Sequence, residues 1–340
     1  MNRPPHHRDG GFQNNHGDVE PKSLADVIRW RWSAARRGLP PRPLNPIPAL
    51  PADLGFLHAN SGESQTPAVT WIGHATVLAQ LGGLNLLTDP IFSERASPLS
   101  FAGPKREQPP GLALAELPHI DAVLVSHNHY DHLDLPSVRA LAAQAGGSPL
   151  FAVPLGLADW FRRRGIERVV ELDWWQSHAL AGLEIVLVPA QHWSARGLND
   201  RMKTLWGGFA VFAPDCQLFF AGDTGYSRDF TDIRERFAER QQGGGFDIAL
   251  IPIGAYEPRW FMKEQHVNVE EALKIHADLG AQRSLGVHWG TFELIDEALD
   301  ESSRQLAWQR AAQGVADDAF FTLAIGETRR IPRRPAPERP

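Results

Sequence analysis

From Thr66 onward, short apolar runs alternate with turn clusters and helical patterns. The runs AVTWIG, LNLLTD, AVLVSH, EIVLVPA, QLFFAGD, DIALIPIG and RSLGVH have strand length and are rich in Val, Ile, Leu and Phe. Because they are nearly continuous rather than alternating, they predict sheets covered on both faces. Helices are predicted over Leu135–Ala145, with Asp134 as cap, and over Val269–Leu279, where Asn268 and Glu271 form a capping pair and Gly280 ends the run. Two packed sheets with helices on their outer faces satisfy these demands. The expected class is α/β, a four-layer αβ/βα sandwich.

Upstream, Ser23 to Gly38 reads as a further helix, with Ser23 and Asp26 as a capping box and Gly38, Pro40 and Pro41 as the stop. One side carries Leu24, Val27, Ile28 and Trp32, another Arg29, Arg36 and Arg37, and Arg31 interrupts the apolar face. Docking against the main domain is the favoured reading, and peripheral contact with an anionic bilayer is the alternative. The expected organisation is a disordered tail (1–22), this helix with a Pro-rich linker (23–65), a main domain (66–326) and a second disordered tail rich in Pro and Arg (327–340).

Composition narrows the function classes. The 34 basic and 40 acidic residues give a formal charge of -6, so no global electrostatic case exists for nucleic acid as a partner. The start, MNRPPHHRDGGFQNNH, lacks an apolar core and a small-residue cleavage pattern, and no apolar run approaches the ~20 residues needed to cross a bilayer. A cytoplasmic location is expected, with any membrane contact peripheral and at the inner face. Cys216 is the only cysteine, so no intrachain disulfide forms, and its apolar context reads as a buried small hydrophobe.

The densest chemistry is SHNHYDHLD at 126–134, three histidines and two aspartates directly after an apolar run. His127, His129, Asp131 and His132 follow AVLVS, His192 follows EIVLVPAQ, Asp223 follows QLFFAG, and His288 follows RSLGV. Strand ends of two packed sheets can converge on one rim. Imidazole and carboxylate donors suit zinc better than calcium or magnesium. Three His with a carboxylate serve one ion; an Asp, two His and a shared carboxylate serve a second. Asp89, after LNLLT, reads as a carboxylate fixing a ligand imidazole or as a turn residue before Pro90. His74 in GHAT reads as a turn residue rather than a ligand.

The HxHxDH pattern of His127, His129, Asp131 and His132 resembles the metallo-β-lactamase superfamily. Carried over by residue, the resemblance implies that His127, His129 and His192 bind a first zinc, that Asp131, His132 and His288 bind a second, and that Asp223 bridges them. Over residues 67–295, the blocks GHATVL, LTDPIFSERASP, GPKR, ELDWW, FFAGDTGY, IPIGAYEPRWFMK, QHV and HWGTF resemble the N-acylphosphatidylethanolamine-hydrolysing phospholipase D family. That implies a homodimer acting on a phospholipid substrate, releasing N-acylethanolamine and phosphatidic acid by means of a hydroxide bridging two Zn2+ ions. Asp131 would orient the hydroxide, and His266 would contact phosphate or protonate the leaving alkoxide. Tyr256, Arg259 and Trp260 would lie near the substrate, with Arg259 pairing either phosphate or Glu257. The chain departs from the family pattern at its N-terminus, at QQGGG (241–245) and at Asn268 and Val269. Alternatives are a lactonase or cyclic phosphodiester hydrolase on the same centre, or a non-catalytic metal-binding protein.

Overall fold

In the computed structural model, which describes residues 3–17, 19, 22–242 and 244–335, the N-terminal segment packs against the domain. Strands β1 (His7–Arg8) and β2 (Gly11–Phe12) pair antiparallel, and His6 and Asn14 are buried. The disordered tail expected at 1–22 is thus corrected over its described residues. Composition alone misleads here, because a polar segment orders when its buried side chains each find a hydrogen-bond partner, as His6, His7 and Asn14 do.

Helix α1 (Leu24–Arg37) forms as expected, with the reciprocal Ser23–Asp26 box at one end and Gly38 at φ 64° closing the other. It docks through Val27, Trp30 and Ala34. The Trp30 indole packs against Phe261 with ring centroids 5.0 Å apart and donates its N–H to Asp296 at 2.8 Å. Leu24, Ile28 and Trp32 remain exposed. The proline-rich stretch that follows is not bare linker: it holds α2 (Leu54–Ala59), capped by Asp53.

The first sheet begins with an antiparallel meander, β3 (Ala68–Gly73), β4 (Thr76–Leu81) and β5 (Leu84–Thr88), and continues parallel through β6 (Ala122–Leu124), β7 (Leu150–Pro154) and β8 (Val169–Leu172). The second repeats the scheme. Strands β9 (Ser177–Leu180), β10 (Leu183–Val188), β11 (Gly208–Phe212) and β12 (Gln217–Phe220) are antiparallel; β13 (Ile248–Pro252), β14 (Ser284–Val287) and β15 (Phe320–Phe321) continue parallel. Strand β16 (Thr328–Arg330) then returns to the edge of the first sheet beside β3, and Arg334 pairs with Asp247 at 2.9 Å. Residues 327–335, expected as tail, therefore belong to the domain; 336–340 lie outside the described residues.

Strand alternation sorts the core. In β6, Ala122 and Leu124 face the second sheet, meeting a cluster that includes Trp71, Ile185, Phe209 and Phe219, while Val123 faces outward with Leu87, Val138 and Phe161. That outer face is covered by α3 (Leu135–Ala142) and α4 (Ala158–Arg162). Helices α5 (Asp229–Phe237), α7 (Val269–Leu279) and α8 (Glu301–Gln313) cover the second sheet, and the short α6 (Arg259–Met262) precedes α7. The four layers are those expected. Helix α7 has the predicted caps, Asn268 and Gly280. Helix α3 stops three residues early, because Gln144 turns its amide onto the backbone of Ile120. Asp134 occupies its N-cap position as expected, but its carboxylate accepts from the hydroxyls of Ser93 and Ser137 rather than from a backbone N–H of the first turn. No helix among the described residues is long and apolar enough to cross a membrane.

Candidate metal centre

On the first sheet the site grows from Asp89, just past β5, at φ 31° and fully buried. Its carboxylate accepts the backbone N–H of Ser126 at 2.7 Å, the Ser126 hydroxyl at 2.5 Å and the Nδ1–H of His132 at 2.6 Å. Asp89 thus serves as turn residue and imidazole-holder together, and leaves His132 Nε2 free to face the cluster. Arg196 braces the same loop from outside, donating to the carbonyl of Asn128 at 2.9 Å. From the second sheet come His192 after β10, Asp223 after β12 and His288 after β14, the last at φ 62°. The Nδ1–H of His192 donates to the Gln265 carbonyl at 2.9 Å, which turns its Nε2 inward.

These seven side chains meet at one rim. His129 Nδ1 lies 2.8 Å from His127 Nε2 and 3.4 Å from His192 Nε2, and the latter two nitrogens are each 3.8 Å from Asp223 Oδ2. On the other side, His132 Nε2 is 3.3 Å from Asp131 Oδ2 and 3.1 Å from Asp223 Oδ2. His288 Nε2 is 3.5 Å from Asp131 Oδ2 and 3.2 Å from Asp223 Oδ1. Asp223 stands between the two groups and touches both.

The arrangement fits cations. Ligand bonds of ~2.0–2.2 Å in a tetrahedron place donor atoms about 3.3–3.6 Å apart; three of the eight contacts fall in that range and the other five, from 2.8 to 3.8 Å, lie on either side of it. Buried His132 Nε2, His288 Nε2 and Asp223 Oδ1 have no hydrogen-bond partner among the described residues. Orphaned atoms of that kind cost about 1–3 kcal/mol each unless something else satisfies them. A donor set of imidazole and carboxylate without sulfur suits first-row divalent metals. His127, His129 and His192 could hold one such ion, Asp131, His132 and His288 another, and Asp223 could serve both.

The two groups differ electrostatically. Burial pushes His129 down to about 4 and His192 to about 3, keeping both neutral as ligands must be. Burial acts on His132 and His288 in the same direction. There Asp223 and Asp131 overcome it, holding His132 well above the usual imidazole range and raising His288 to about 9. Burial likewise opposes ionisation of Asp223, and His132, His288 and His266 outweigh it, so that carboxyl sits well below its usual range.

His266 lies at the cluster, its buried, unpartnered Nδ1 4.0 Å from Asp223 Oδ2. The other residues expected near substrate are engaged elsewhere. Arg259 pairs with Glu271 at 2.7 Å, not with Glu257, and donates to the His266 carbonyl at 2.8 Å, so it clamps the loop carrying His266. Tyr256 is buried beneath Glu297 and α8. Trp260 is half-exposed against Arg29 of α1. His74, expected only as a turn residue, makes that turn at φ 54°, yet its Nε2 lies 3.1 Å from Asp131 Oδ2 and its ring 4.1 Å from that of His288. The available signal was its position directly after β3, on the same rim as the other donors.

This fold and donor set define a metal-dependent hydrolase. A model of the β-lactamase superfamily domain matches residues 84–289. The chain is 41% identical over 270 residues to an N-acyl-phosphatidylethanolamine-hydrolyzing phospholipase D of Caenorhabditis elegans, spanning 76% of this chain and 74% of that one. An uncharacterized protein of Mycobacterium tuberculosis is 39% identical over 331 residues, 94% of this chain and 82% of that one. An isothiocyanate hydrolase from Delia radicum gut bacteria shares the fold, with a TM-score of 0.59 at 22% identity over 77% of this chain and 98% of that one. The chain belongs to the metallo-β-lactamase superfamily, in the family of the N-acylphosphatidylethanolamine-hydrolysing phospholipases D.

Proposed function

We propose that the chain is a di-zinc phosphodiesterase of the phospholipase D type. It hydrolyses N-acylphosphatidylethanolamine, or a related lipid phosphodiester, to N-acylethanolamine and phosphatidic acid. The observation that carries the reading is Asp223 standing within 4 Å of donor nitrogens from both groups, the arrangement that two cations sharing one ligand require. The identity to the nematode phospholipase D supports the substrate class.

Bound there, two zinc ions supply a water of lowered pKa and concentrated positive charge. Asp131 and Asp223 contribute two negative charges against four positive ones, so a net charge of about +2 faces an anionic phosphodiester. Asp131 is the half-buried carboxylate of the set, with Oδ2 toward His74, His132 and His288. Its position at the open side suits it to accept a hydrogen bond from the attacking water. Burial, with Asp223 opposing, pushes His266 down to about 3. It therefore enters as a neutral imidazole, suited to donating a hydrogen bond to a phosphoryl oxygen rather than delivering a proton as imidazolium.

Lipid is reached at the inner membrane face through the exposed Leu24, Ile28 and Trp32 on α1, beside Arg29, Arg36 and Trp260. The working assembly is a homodimer, which light scattering checks. The test is release of N-acylethanolamine and phosphatidic acid by zinc-loaded protein, with Asp131→Asn as control. Turnover that this variant abolishes supports the reading. Equal rates for both proteins, or turnover of lactones with none of the lipid, refute it.

A further inference from the structure

His192 lies beyond the end of β10, one residue past the isolated bridge of Gln191 with Gly225, and no described backbone group partners its N–H or C=O. The partner is a side chain 178 residues earlier in the sequence. Buried Asn14 accepts the His192 N–H on Oδ1 at 3.0 Å and donates from Nδ2 to the His192 carbonyl at 3.0 Å. A primary amide offers one acceptor and one donor side by side, so Asn14 gives His192 what a neighbouring strand would have given. The indole N–H of Trp206 reaches the same Oδ1 at 3.1 Å and fixes the amide's orientation.

The segment bearing Asn14 is tied down on both sides. Before it, His6 and His7 donate to the two oxygens of Asp173 at 2.6 and 2.8 Å, and the Phe12 N–H donates to the Met202 carbonyl at 2.8 Å. A side chain at Gly11 would come within 2.1 Å of that same carbonyl oxygen, so the strap lies flat on the loop following His192. After it, Asn15 donates to Asp229 at 2.9 Å. His6 and His7 thus clasp Asp173 through short hydrogen bonds.

We infer that Asn14 is a positioning residue of the metal centre, holding the His192 backbone so that Nε2 stays aimed at the ion beside His127 and His129. The inference rests on the reading that His192 is a ligand. Its test needs no substrate: full-length protein is loaded with Co2+, and the visible spectrum and chelator-driven release rate are recorded for wild type, Asn14→Ala, Asn14→Asp and Asn15→Ala. Asn14→Ala should release one of two cobalt ions about 10 to 100 times faster and alter the spectrum, the range known for lost ligand-supporting groups. Asn14→Asp keeps the acceptor and loses the donor, so it should fall between. Asn15→Ala should match wild type.

If Asn14→Ala fails to fold, Asn14→Asp decides: wild-type release and spectrum would overturn the inference. An Asn15→Ala effect equal to that of Asn14→Ala would also overturn it, because the strap would then act only as general support. Should wild type bind no cobalt, the metal-centre reading itself fails. Two ions held alike by wild type and every variant sinks this inference alone.

Discussion

The first sheet delivers four of the seven donors from the six residues His127 to His132, on a loop that one buried carboxylate, Asp89, holds together. The second delivers His192, Asp223 and His288 singly, from the ends of three different strands. A local loop can assume its shape early, whereas three separate strand ends meet only when the whole sheet is registered and packed. The second half of the centre thus depends on long-range order, and Asp223 is the point at which the two halves join.

The largest effect should come from removing that joint. Asp223→Ala should lower turnover of whichever ester the wild type hydrolyses by at least about 1,000-fold, over 4 kcal/mol of barrier, and reduce metal content. Next is the packing that brings the second sheet's candidate ligands into place. Trp71 of β3 stacks on Trp289, beside His288, at 5.1 Å and 17°. Trp71→Ala should cost about 3 kcal/mol in chemical denaturation and weaken metal retention, although it touches no donor. Asp89→Asn, which perturbs the local half, should reduce metal affinity by about 10 to 100-fold in a chelator competition and destabilise the metal-free protein by about 1–3 kcal/mol, because the amide nitrogen would face donors on Ser126 or His132. Smallest in stability is Trp32→Ala on the exposed stripe of α1, within about 0.5 kcal/mol of wild type. Combined with Ile28→Ala it should nevertheless reduce cosedimentation with anionic liposomes, and unchanged binding would remove the membrane contact.

The same contrast explains what could be read from the sequence. The clustered half was visible as one motif, and the runs that became β3, β5, β6, β10, β12, β13 and β14 stood out because both their faces are buried. Strand β11 does not stand out because it opens on Gly208 directly after Gly207, and glycines are depleted in strands. Gly208 is needed there because a side chain would meet the Phe220 carbonyl at 2.6 Å. Strand β16 carries Thr and Arg at the sheet edge, where no apolar run is required. The N-terminal strap looked like a tail because its partners, Asp173, His192 and Asp229, lie more than 150 residues away. Tyr256, Arg259 and Trp260 lie near His266 along the chain but away from the donors: α6 and its flanking turn set the Tyr256 N–H on Glu297, the Arg259 guanidinium on Glu271 and Trp260 against Arg29.

The most direct measurement is elemental analysis of extensively dialysed protein, wild type beside Asp223→Ala, with zinc, iron and manganese quantified per chain. A shared-ligand centre requires two ions in the wild type, mainly zinc, and a marked shortfall in the variant. Wild type retaining no transition metal, or a variant retaining both ions as firmly, would contradict the centre described for these seven side chains.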